Sequence, residues 1–122
     1  MATRWNDSQP IYWQLKDRTI AMILDGTLAE GDALPSVRQV AAEFQLNPIT
    51  VSKAYQALVD EGLVEKRRGL GMFVCEGARE QLLKSERNKF VREEWPATLA
   101  RIRQLGMDLS DLPQTPEDED PE

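Results

Sequence analysis

The sequence predicts a mainly α fold with a small β wing, on two observations. Residues Ser36–Glu61 hold two helix patterns joined by a tight turn, each preceded by its own capping signal. Gly62 follows directly, and two short strand patterns, Leu63–Arg67 and Met72–Cys75, flank the basic, glycine-containing turn Arg68-Gly69-Leu70-Gly71. A helix-turn-helix followed by such a hairpin is a winged helix-turn-helix, here expected over residues 10–76. A short helical segment over 77–109 and an acidic tail over 110–122 complete the expected organisation.

Residues 1–9 are polar and read as an N-terminal arm with Arg4 as its one cation. Pro10 can open a first helix that ends at Gly26, with Ile11, Leu15, Thr19 and Met22/Ile23 as its inward stripe. Tyr12 and Trp13, beside that stripe, read as packing groups. Leu28–Leu34 is a loop turning at Gly31-Asp32, and Ala33-Leu34 can add a short strand to the wing. Ser36 stands three residues before Gln39, the spacing of a capping box, in which hydroxyl and amide satisfy orphan backbone N–H groups reciprocally. Asn47 before Pro48 suits an N-cap and a first helical position, where the missing proline N–H costs nothing.

The helix that starts there buries Val51, Ala54, Tyr55 and Leu58 at i, i+3, i+4 and i+7. Its opposite face carries Ile49, Lys53 and Gln56, flanked by Thr50 and Ser52. After the wing, AREQLLKSERNKFVREEW places Leu82, Leu83, Phe90, Val91 and Trp95 near one stripe. Pro96 is expected to interrupt this helix, and a second one carries Leu99, Ile102, Leu105 and Leu109. Two such helices cannot bury their apolar faces alone. A second copy of the segment in a two-fold dimer would cover them; folding back onto the chain's own winged helix is the alternative. From Ser110 no apolar periodicity survives, and the tail is expected to be disordered.

Composition narrows the function. No apolar run approaches membrane-spanning length and no signal-peptide core precedes the first helix, so a cytoplasmic chain without membrane contact is expected. With one cysteine and no histidine, an internal disulfide is impossible, imidazole catalysis is excluded and no cofactor or metal is expected. No nucleophile–base constellation points to an enzyme. The net charge of −6 is unevenly spread: residues 1–76 carry 8 Lys/Arg and 10 Asp/Glu, 77–110 carry 7 and 5, and 111–122 carry none and 6. The tail alone thus accounts for the deficit, and DNA binding answers to the local field at the docking face.

That face supplies the groups that read base edges and phosphates when a helix enters a major groove by its N-terminus. Ile49 can meet a thymine methyl, while Thr50, Ser52 and Lys53 form a polar cluster for bases or phosphates. The bland reading of Lys53 is a solvated lysine. Asn47 is a cap before it is a base reader, and Ser36 is both cap and candidate phosphate ligand. Arg38 is assigned to a guanine edge or a phosphate, with pairing to Glu43 as the alternative. The ring of Tyr55 is expected inward with its hydroxyl on a phosphate. In the wing, Lys66, Arg67 and Arg68 precede Gly69 and Gly71, which let the backbone turn and approach a groove closely; an arginine there can enter a narrow A·T-rich minor groove.

Five linked motifs carry a family resemblance: Pro10-Ile11-Tyr12 with Gln14-Leu15; Gly31–Arg38; Asn47–Tyr55; Glu61–Val64; and Gly69–Val74. In this order and spacing the chain resembles GntR-family bacterial transcription regulators, and its Asn-Pro-x-Thr-Val-x-Lys-Ala-Tyr string and short C-terminal segment resemble the YtrA-like branch. The resemblance implies a homodimer on a palindromic double-stranded operator, usually as a repressor, often of transporter genes, without the large effector domain of other branches. The metal-holding members use Asp- and His-rich C-terminal domains, so without histidine that property does not carry over. Ile49 departs from the polar residue expected there, and Met72 from a small or hydroxyl one. An effector, if one exists, would act through the C-terminal helices or the groove beneath them; no residue cluster identifies it. The rival function is a winged helix used for protein–protein contact.

Overall fold

The computed structural model describes Trp5 and residues 7–114, and divides between Lys84 and Ser85 into two compact units. Residues 1–4 and 6 of the expected arm, Arg4 included, and residues 115–122 of the expected acidic tail lie outside the described residues. In the first unit α1 (Ile11–Asp25), α2 (Val37–Phe44) and α3 (Pro48–Asp60) precede a hairpin of β1 (Val64–Arg67) and β2 (Gly71–Val74), and α4 (Ala78–Lys89) begins after Gly77.

Pro10 enters α1 with φ −57°, and its carbonyl accepts from the N–H groups of Trp13 and Gln14; Gly26 ends the helix at φ 89°. The helix buries Leu15, Thr19 and Ile23, with the Thr19 hydroxyl donating to the Leu15 carbonyl at 2.9 Å. Ile11, expected on this stripe, is exposed. Trp13 is exposed as well, covered on one face by the Lys16 ammonium rather than packed inward.

Both expected start signals form. The Ser36 hydroxyl accepts from Gln39 N–H at 3.1 Å while the Gln39 amide oxygen accepts from Ser36 N–H at 3.0 Å, and Asn47 Oδ1 accepts from Ile49 N–H at 2.9 Å. Between the two helices Gln45 takes a left-handed conformation at φ 54°, and the turn is closed by Leu46 N–H on the Ala41 carbonyl. Helix α3 sets Val51, Ala54, Tyr55 and Leu58 into the core, all at most 3% exposed. Each large apolar group so buried contributes on the order of 1.5–3 kcal/mol.

The hairpin pairs Val64 with Val74 and Arg67 with Gly71, putting Val64 and Val74 in the core. Ala33 bridges Phe73, and the chain around it bonds to β2 through Leu34 N–H on the Met72 carbonyl and Val74 N–H on the Asp32 carbonyl. The short third edge expected from Ala33-Leu34 is therefore present.

The core extends past the expected boundary at Glu76. Ala78 and Leu82 are 1% and 7% exposed and join the winged-helix cluster. Helix α4 also bonds the ends of two earlier helices: Arg79 Nε donates to the Leu24 carbonyl at 3.0 Å, and Gln81 Nε2 to the Glu61 carbonyl at 3.0 Å. Leu82, assigned from sequence to a dimer contact, is thus a core residue; the stripe's periodicity could not say which surface it meets.

In the second unit Pro96 does not break the helix. One π-helical turn over Phe90–Glu94 leads into α5 (Trp95–Gln104), with Trp95 N–H on the Phe90 carbonyl. That shift of register moves the carbonyls a proline ring would otherwise strike, so the helix passes the residue without a break. Phe90 and Trp95 stack at a tilt with centroids 6.4 Å apart. Gly106, at φ 72°, stops α5, so Leu105 and Leu109 lie beyond the helix expected to carry them. Asp108 then caps a 3-10 turn at Leu109–Asp111, within the start of the segment expected to be disordered. Ile102 is buried within the chain; Phe90, Val91, Leu105 and Leu109 are exposed, and Trp95 and Leu99 half-buried, as is Leu83 in the first unit.

Candidate nucleic-acid interface

The outward face of α3 is open. Ile49 is 75% exposed, an unusual position for an isoleucine, and Ser52, Lys53 and Gln56 are exposed beside it. Thr50 is half-buried. The Lys53 ammonium lies 4.2 Å from the centroid of the Tyr12 ring, so α1 supplies an aromatic rest for this cation, worth about 0.5–1 kcal/mol at an exposed site. Gln56 reaches forward to Asp60, which keeps that carboxylate at the far end of α3. The helix's first turns are left with hydroxyls, an amide and a cation.

Tyr55 corrects one expectation. Its ring packs inward, but its hydroxyl donates to the Pro35 carbonyl at 2.7 Å and is not directed outward to a phosphate. Burial pushes its pKa up to about 12. The bond ties α3 to the residue just before α2, making Tyr55 a positioning residue for the two helix N-termini.

Arg38 is exposed in the first turn of α2, above a shallow hollow lined by Val37, Ala41, Ala42, Leu46 and Pro48. It makes no ion pair with Glu43, and its guanidinium has no partner among the described residues. In the wing the three cations are unequal. Arg67 is held by the Glu65 carboxylate at 2.8 Å and lies 4.3 Å over the Phe73 ring. Lys66 and Arg68 are exposed and make no ion pair among the described residues. Gly69 and Gly71 adopt φ 77° and 113°, and beyond each glycine and its two chain neighbours no heavy atom lies within 4 Å of where a Cβ would stand. The turn therefore demands glycine for its backbone angles, not for room.

Between the α2 N-terminus, α3 and the wing lies a trough of about 490 Å³, lined among others by Ser36, Gln39, Ser52, Gln56, Lys66 and Leu70. None of its described lining residues is acidic, although the chain as a whole carries −6. The structure thus brings Ser36, Ser52, Lys66 and Gly71 to one concavity, with Asn47, Ile49, Thr50 and Lys53 on the adjoining helix, and Arg38 nearby on α2. Sequence reasoning missed Gln39 and Leu70. Leu70 is 72% exposed at the wing tip, and its Gly-Leu-Gly setting was the available signal.

Cys75 is half-buried, and burial raises its thiol pKa, Glu65 adding to the effect and Arg67 opposing it. No group of three or more Cys, Asp or Glu able to hold a metal occurs among the described residues.

The family model for bacterial regulatory proteins of the gntR family matches residues 11–74, more than half of the chain. The HTH-type transcriptional repressor YtrA of Bacillus subtilis is 35% identical over 86% of this chain and 80% of that protein. The uncharacterized HTH-type transcriptional regulator YhcF of the same organism is 31% identical over 92% and 91%. Among solved structures, the DNA-binding domain of AraR in complex with its operator ORX1 superimposes with a TM-score of 0.54 at 25% identity, covering 62% of this chain and 92% of that one.

Proposed function

The chain belongs to the gntR family of bacterial regulatory proteins, and from that premise we propose that it represses transcription by holding a palindromic operator as a homodimer. The observation that carries this reading is the acid-free trough between α2, α3 and the wing, with the exposed first turns of α3 beside it. It fits a duplex entered by α3 from the major groove while the wing reaches the neighbouring minor groove. Ile49 then meets a thymine methyl, and Arg38 a guanine edge or a phosphate. Ser36, Thr50, Ser52 and Lys53 bind phosphates and base edges, and Lys66 and Arg68 follow the backbone into the minor groove. Asn47, Tyr55, Gly69 and Gly71 set the geometry, and Arg67 stiffens the wing.

Repression is supported by the likeness to the transcriptional repressor YtrA, and operator binding by the likeness to the AraR domain bound to its operator. The resemblance to the YtrA-like branch further suggests transporter genes as targets. Pairing two copies through Phe90, Val91, Leu105 and Leu109, with Trp95 and Leu99 at the margin, would cover the exposed apolar groups of the second unit. A two-fold pair sets two α3 helices into successive major grooves, roughly 34 Å apart along one DNA face.

Selection of bound sequences from a random duplex pool tests this directly. A palindrome with half-sites about one helical turn apart is expected, bound with an affinity that falls steeply as salt rises. Absent or salt-independent binding would instead favour a winged helix used for protein contact.

A further inference from the structure

The wing tip carries a feature that phosphate binding does not need. Leu70, 72% exposed, stands between Gly69 and Gly71, both in left-handed backbone conformations, and its own N–H bonds the Arg67 carbonyl to close the turn. The side chain contributes nothing to the core, so the fold itself does not require an apolar residue there. Arg68 stands two positions before it and is exposed, and Lys66 lines the same trough, so this apolar group sits beside two exposed cations.

Resting on the DNA-binding reading above, we infer that Leu70 is a specificity-determining residue that excludes G·C pairs from the minor groove beneath the wing. All base pairs present acceptors on that groove floor, and G·C alone adds the guanine N2 amine donor. Arg68, five donors on a planar head, can serve the acceptors of any pair. A leucine pressed to the floor beside it strips water from the central position and offers nothing to accept a hydrogen bond. Over A·T it meets the adenine C2–H and loses nothing. Over G·C it buries a donor unpaired, at a cost of about 1–3 kcal/mol, or roughly 5- to 150-fold in affinity. The narrow groove that A·T tracts offer to Arg68 favours the same sequences by a different, salt-dependent route. The two contributions are separable.

The experiment uses the full chain and a duplex selected from a random pool. Pairs flanking the major-groove half-site are replaced one at a time by G·C and by inosine·C, which lacks the N2 amine. Wild type is expected to lose 5- to 150-fold at one G·C position per half-site and to recover within about twofold with inosine·C. In Leu70→Ser, whose hydroxyl can accept from the amine, the G·C penalty should fall to within about threefold of the inosine·C value. An unchanged penalty in Leu70→Ser would overturn the inference and assign the preference to groove width read by Arg68; so would equal affinity for G·C at every flanking position. If wild type bound no duplex at all, the DNA-binding reading would fall and this one with it. Leu70 lies outside the core, and an unchanged thermal midpoint for the variant guards against misfolding as the cause.

Discussion

Tyr55→Phe separates architecture from contact. The ring is 3% exposed and its hydroxyl donates to the Pro35 carbonyl at 2.7 Å. Deleting the hydroxyl leaves the apolar packing intact and removes one buried donor from a carbonyl, a loss of about 1–2 kcal/mol. For a unit of this size that lowers the thermal midpoint by on the order of 5–10 °C. The pH dependence follows from the phenol. Burial raises its folded pKa to about 12 from an ordinary 10, so below about pH 10 folded and unfolded chains both keep the proton and the full stability is present. Between pH 10 and 12 the unfolded chain loses its proton first, and stability falls as pH rises through the folded value. After discounting for solvent screening, this loss is about 1–2 kcal/mol. Denaturant unfolding of wild type and variant at pH 8 and near pH 11.5 should therefore show a wild-type advantage that shrinks or vanishes at the higher pH. DNA affinity should change little, and its salt slope not at all. Equal midpoints at pH 8, or a reduced salt slope in the variant, would refute this account and return the hydroxyl to a phosphate.

Lys53→Ala and Arg68→Ala should each lower the slope of log affinity against log salt by about 0.9, whereas Arg67→Ala, whose guanidinium is already paired with Glu65 and stacked on Phe73, should leave it nearly unchanged. Leu82→Ala should destabilise the first unit by about 2–4 kcal/mol in thermal or denaturant unfolding without changing the oligomer, since Leu82 is in the winged-helix core. Val91→Asp places a charge on an exposed apolar face and should shift the chain to monomer by light scattering while its melting profile keeps the folded core. Asn47→Ala should cost about 1 kcal/mol through the lost cap on Ile49 N–H, read as a lower midpoint.

What depends on neighbours along the chain was legible from residue order alone. The Ser36–Gln39 capping box, the Asn47-Pro48 start, the inward set of α3 and the glycine-bounded wing turn each follow from short-range bonding and a 3.6-residue or alternating period. The family resemblance rested on those same motifs. Tertiary structure decided which surface each apolar or charged group meets, because periodicity defines a face without naming its partner. Leu82 joined the core, Tyr55 turned its hydroxyl to Pro35, Arg67 was taken by Glu65 and Phe73, and Lys53 settled over Tyr12. The passage of the helix through Pro96 belongs to the same class. A local rule forbids the ordinary bond at that position, and a one-turn change to wider helical bonding, readable only in three dimensions, makes the bond unnecessary.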